Sequence, residues 1–204
     1  MTALLESIDV EDDATPFARF IVRILRWASV DVDVAPLTAL DSYTVHVSDD
    51  RTPQSATVVF TSAGGCVTRG RRGDPDERVT TDGNGFRAAD GAEPSEALDV
   101  VLALLNPTLP TWREAAFLFW EATRKRPGMP ATLTISCSTD DDSLVLGQGA
   151  PPYTIHGSAD GLARVLTGAT PFLDAVYDGS INVRGTLPQL SVLAGASNQM
   201  RFDV

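Results

Sequence analysis

The sequence predicts an α+β protein in which a mostly antiparallel sheet of short strands is covered by helices. Three observations carry this. Apolar and polar residues alternate in short runs such as Tyr43-Thr44-Val45-His46-Val47 and Ile181-Asn182-Val183-Arg184, the period of a strand with one buried face. Longer stretches, Phe17 to Ala28 and Trp112 to Arg126, repeat apolar residues at helical spacing. Glycine, proline or a capping Ser or Thr stands at nearly every joint between them.

Residues 1–15 carry Glu6, Asp9, Glu11, Asp12 and Asp13 with little to bury, which predicts a flexible acidic N-terminus. Thr15 and Pro16 read as the N-cap and first residue of a helix whose apolar side is Phe17, Phe20, Ile21, Ile24, Leu25 and Ala28. Arg19, Arg23 and Arg26 take its other side, too few for a membrane anchor in an acidic chain, so the helix is expected on a sheet. Residues 30–41 read as a connection broken by Pro36. Strands follow at 42–47 and 56–61, with a further extended run around Cys66-Val67-Thr68. The segment from Arg69 to Asp76 is the most polar of the chain. Its Arg69, Arg71 and Arg72 suit a phosphate or carboxylate, but Asp74, Asp76 and Glu77 stand ready to neutralise them, which favours a solvated loop. Gly83-Asn84-Gly85-Phe86-Arg87-Ala88 matches a dinucleotide fingerprint in form only. Such a site needs a helix opening directly from the turn, and Gly91 and Pro94 forbid one, so Asn84-Gly85 is read as a hairpin turn.

Ser95 or Pro94 starts a helix with Leu98, Val101, Leu102 and Leu105 on one face, ended by Pro107 and Pro110. Thr111 caps another, apolar nearly all round in its middle and therefore expected to be buried on more than one side. Arg124-Lys125-Arg126 complements that helix's negative end. Strands at 131–136 and 143–146 pair about Asp140-Asp141-Asp142, a solvated turn rather than a calcium loop, whose ligands alternate about a glycine. Tyr153–His156 is a short strand, Ser158 an N-cap, and Leu162, Ala163, Val165 and Leu166 one helical face stopped by Gly168. Thr170 reads as the next N-cap with Pro171 at the first position, and Phe172, Leu173, Val176 and Tyr177 as the buried side up to Gly179. After the strand at 181–184, Gly185 turns the chain and Leu187-Pro188 opens a last helix with Leu190, Val192, Leu193 and Ala194.

The order and spacing of Gly168, Pro171, Ala175, Gly179, Ile181, Val183 and Gly185 resemble the sterol carrier protein-2 (SCP2) family over 153–193. Pro171 comes one residue early, and Thr186 stands where that family usually has Asp or Asn. The resemblance implies a curved sheet and a closing helix over a tunnel for acyl chains, sterols or other lipids. Its lining would then be Leu162, Leu166, Phe172, Val176, Ile181, Val183, Leu190 and Leu193, residues equally suited to a filled core. The division implied is an SCP2-like C-terminal half at 111–204 and an N-terminal α+β half at 16–110. The latter is read either as a degenerate repeat lacking a counterpart of the strand at 180–184, or as an elaboration of one sheet.

At 204 residues and a net charge of −11, the chain is ill suited to non-specific nucleic-acid binding or to an anionic membrane surface. No apolar run reaches membrane-spanning length, and Met1 to Glu6 lacks the pattern of a secretory signal. Cys66 and Cys137 suggest reduced thiols in a cytoplasmic protein. His46 and His156 both sit in strands, and His156, Ser158 and Asp160 are too close in sequence for a hydrolytic triad. Neither cysteine shows metal spacing, and no Gly-x-Ser-x-Gly, Walker loop or His-Glu-x-x-His occurs. The expectation is a protein without catalytic residues, metal or cofactor that carries a hydrophobic molecule such as a lipid. Its rival is a filled-core interaction module, acting as a homodimer or on a protein partner; an enzymatic reading would need a cofactor the sequence does not announce.

Overall fold

The computed structural model describes residues 8–28, 32–83, 85–149 and 153–202. The chain is α+β, with seven helices and two open mixed sheets among the described residues. It divides into two units that part between Thr108 and Leu109.

The first unit runs β1 (Ile8–Val10), α1 (Pro16–Ala28), α2 (Ala35–Thr38), β2 (Ser42–Asp49), β3 (Ser55–Thr61), β4 (Gly64–Arg69), β5 (Glu77–Thr81), β6 (Phe86–Ala88) and α3 (Glu96–Leu105). Its sheet has the order β1-β4-β3-β2-β5-β6, with β1/β4 and β2/β5 parallel and the other pairs antiparallel. Register places Val45 between Val58 and Glu77, and Val47 between Ala56 and Val79. Val45, Val47, Ala56, Val58, Val67 and Val79 are all buried, so alternation puts one apolar face on the core. Helix α1 lies against β3 and β4 and also meets α3. Thr15 caps it, its hydroxyl accepting from the Ala18 N–H at 3.2 Å. Ser95 caps α3 in the same way through Leu98, and α3 buries Leu104 in place of the expected Leu102.

Two segments carry structure that the sequence did not announce. Of the acidic N-terminus at 1–15, residues 1–7 lie outside the described residues, while within 8–13 β1 pairs with β4, the Asp13 carboxylate meets Arg69 at 2.7 Å, and Glu11 accepts from the Arg69 N–H. Their acidic composition hid the buried Ile8. The connection before β2 contains the short helix α2, with Pro36 in its first turn, where the missing N–H is tolerated.

The second unit runs α4 (Trp112–Thr123), β7 (Thr132–Cys137), β8 (Asp142–Gly147), β9 (Tyr153–Gly157), α5 (Ala159–Leu166), α6 (Phe172–Tyr177), β10 (Ile181–Arg184) and α7 (Leu187–Phe202). Its sheet has the order β10-β9-β7-β8, with β7/β9 parallel and the outer pairs antiparallel. The same arrangement lies within the first sheet as β6-β5-β2-β3. In both, chain order, neighbours and sense of pairing agree. Thus β6 holds the position of β10, a counterpart the sequence reading did not find, because β6 is only three residues long. Its partner β5 reaches it through a hairpin, whereas β9 reaches β10 through α5 and α6.

Thr111 forms a full capping box with Glu114: the Glu114 N–H donates to the threonine hydroxyl, and the Thr111 N–H donates to the carboxylate at 2.9 Å. These bonds hold the Glu114 carboxyl below its ordinary value, the hydroxyl contributing most. Thr111→Ala is expected to lower unfolding free energy by about 1 kcal/mol, read as a shifted urea midpoint. Because the Glu114 pKa is depressed, its own contribution is present above the unfolded value of 4.5 and fades as pH falls below it.

Candidate functional site

The eight residues implied as a tunnel lining come from four elements of the second unit. Ser158 caps α5, accepting from the Gly161 N–H at 3.1 Å, and so presents Leu162 and Leu166 to the sheet. Pro171, not Thr170, precedes the first residue of α6, and the Thr170 hydroxyl is buried without a partner. Phe172 and Ala175 are buried and Val176 partly so, whereas Leu173 and Tyr177 point outward. The sequence reading put Leu173 and Tyr177 on the buried side. One helical turn apart, they instead share the face opposite the core. Strand β10 contributes Ile181, buried, and Val183, partly buried; α7 contributes Leu193, buried, and Leu190, partly buried.

All eight join a single cluster that also includes Phe119, Leu133, Ile135, Tyr153 and Ile155. Leu162, Leu166, Phe172, Ile181 and Leu193 keep 0–1% of their surface. The structure brings them together as buried residues of one interior.

The closing helix is strapped over this interior. Thr186, the departure from the family pattern, caps α7 reciprocally with Gln189: the Thr186 N–H donates to Oε1 at 3.0 Å, and the Gln189 N–H donates to the hydroxyl at 3.4 Å. Arg126 Nη1 donates to Gly195 O (2.9 Å) and Gln199 Oε1 (2.7 Å), so it ties the region after α4 to α7 rather than merely facing a helix dipole. Arg201 Nη1 donates to Gly168 O and Ala169 O, both at 2.8 Å, at the corner between α5 and α6. Gly185 is required for close approach, since a Cβ there would overlap the Cδ2–Cε2 edge of the Tyr153 ring.

His156 Nδ1 lies 3.1 Å from Ser136 Oγ, Asp160 pairs with Arg164 at 3.0 Å, and Ser158 is engaged as a cap. Cys66 is exposed and Cys137 buried. Among the described residues, no group of three His, Cys, Asp or Glu is placed to hold a metal. The aspartate turn is held to α4: Trp112 Nε1 donates to Asp140 Oδ2 at 2.6 Å, and Arg113 pairs with Asp142 while lying 4.4 Å over the Trp112 ring.

No family model, curated protein or solved structure matches this chain. Among the described residues, no helix is long and apolar enough to cross a membrane. Tyr177 is 94% exposed, Leu187 80%, and Leu173 53%, on two helices that touch. Helix α4, expected to be buried on several sides, leaves Phe117 and Leu118 half exposed. The sequence signal was present in part: on a helix as short as α6, four apolar residues spread beyond one face cannot all be covered by one sheet.

Proposed function

We propose that this protein is a filled-core interaction module, built on an SCP2-like arrangement in its second unit and working through protein contacts rather than through catalysis. One contrast carries the reading: Leu162, Leu166, Phe172, Ile181 and Leu193 are sealed, while Tyr177 and Leu187 stand in solvent. Large apolar side chains exposed on neighbouring elements mark contact sites, and an exposed tyrosine supplies wide contact area at low entropic cost. The net charge of −11 repels a second copy and any acidic partner. The occupant is accordingly a protein presenting an apolar segment ringed by basic residues.

A photoreactive phenylalanine analogue at position 177 is expected to crosslink a discrete basic protein. Tyr177→Ser with Leu187→Ser is expected to weaken that protein's binding at least about 10-fold, since anchor residues of this kind contribute 2 kcal/mol or more. The thermal midpoint should stay unchanged. Unaltered binding by the double variant, or a crosslink only to a second copy, overturns the reading. A second reading, a carrier for a lipid-like molecule, draws on Val176, Val183 and Leu190, which are only partly buried at the side of the cluster. Native mass spectrometry of the purified protein separates the two: a co-purifying apolar molecule of fixed mass favours the carrier.

A further inference from the structure

The outer face of the first sheet carries a polar arrangement that the reading above does not use. Strand alternation points His46 away from the buried Val45 and Val47. Register sets it beside Thr57 of β3 and Arg78 of β5. Thr57 is itself buried, and its hydroxyl donates to Gly70 O at 2.8 Å and accepts from the Arg72 N–H at 3.0 Å. Those two bonds draw the start of the 70–76 loop across β3, toward the row that holds His46. His46 Nε2 is buried and makes no hydrogen bond. We infer that His46, Arg71 and Arg78 form a binding site for a phosphate group, with two guanidinium groups facing the oxygens and the imidazole as a third donor.

The surroundings fit a small dianion. The Arg78 side chain is exposed and makes no hydrogen bond or ion pair with another described residue. Among the described residues the Arg71 side chain meets only Asp74, at 3.4 Å, and Asp74 is 97% exposed, a pair that solvent screens and a tighter anion displaces. Arg69 and Arg72 are turned to Asp13 and Glu11 instead. Beside His46 are Thr57 from β3 and Arg78 from β5, with Thr44 and Ser48 along β2, and the Arg71 charge acts on the ring from the loop. The Asp76 carboxylate is engaged by the Thr44 N–H at 2.7 Å, and Glu77 lies toward Tyr43. Burial first, then the Arg71 and Arg78 charges, push the His46 pKa below 6.5, and Nε2 has no hydrogen-bond partner. A dianion offsets both arginine charges, and the imidazole then takes up a proton and donates.

The chain's two histidines make this directly observable. With ionic strength held constant, inorganic phosphate is expected to move the His46 ring signals saturably by NMR and to raise that residue's apparent pKa. His156, in the other unit and already bonded to Ser136, serves as the reference. Arg78→Gln, a change at an exposed position, should weaken binding about 10-fold, and Arg71→Gln should act in the same direction. Glycerol 3-phosphate run in parallel distinguishes sources: tighter binding than inorganic phosphate identifies a phosphate ester, and equal binding identifies the free ion. Parallel drift of both histidines, or full affinity in Arg78→Gln, overturns the site.

Discussion

Gly147→Ala is expected to destabilise the second unit by about 2–5 kcal/mol. Gly147 ends β8 with φ at +81°, a conformation that costs a side-chain-bearing residue about 1–2 kcal/mol. A Cβ there would also overlap the Ala131 carbonyl oxygen and approach Trp120 Cζ2 to 2.7 Å. The first obstacle is backbone in a strand-flanking segment that cannot swing away, and overpacking of this kind adds about 1–3 kcal/mol. Gly179→Ala is the matching comparison, because Gly179 has φ at +78° but open space around its missing Cβ. It should show the conformational cost alone. Urea unfolding of both variants tests the account: equal losses would mean that the clash at Gly147 relaxes freely.

Phe172→Ala is expected to cost about 3–5 kcal/mol, the range for removing a fully buried aromatic side chain. Phe172 is 1% exposed within the continuous core of the second unit. If that ring instead bordered an open tunnel, its removal would create no new void and the loss would be much smaller. The variant should also admit a small apolar probe such as benzene, which the native protein excludes. Chemical denaturation gives the first quantity and ligand-observed NMR the second. A native protein that already binds the probe as well as the variant does would contradict the sealed interior.

The elements were legible where one local signal decided them. Ser95, Thr111 and Ser158 are caps because each is followed by a helical apolar pattern, and the structure places each hydroxyl on a first-turn N–H. Alternation in β2 and β10 likewise marked their buried sides. What escaped depends on distant partners. Ile8 enters the core only because β4 lies alongside, and no local pattern announces a three-residue parallel strand. Leu173 and Tyr177 face outward because a six-residue helix has one covered side, and which side is covered is set by β10 and α7. Whether apolar residues enclose a space or fill it is a property of summed volume, absent from periodicity. The cluster around His46 shows the same limit: His46 and Arg78 are neighbours only through the parallel register of β2 with β5.

The arginine that holds the α5–α6 corner also imposes an order on biosynthesis. Its acceptors at Gly168 and Ala169 are made more than thirty residues before Arg201 itself. A chain that stops short of that residue has its strands in place but lacks these two bonds, so this fastening of the corner forms only after the rest of the second unit has been made.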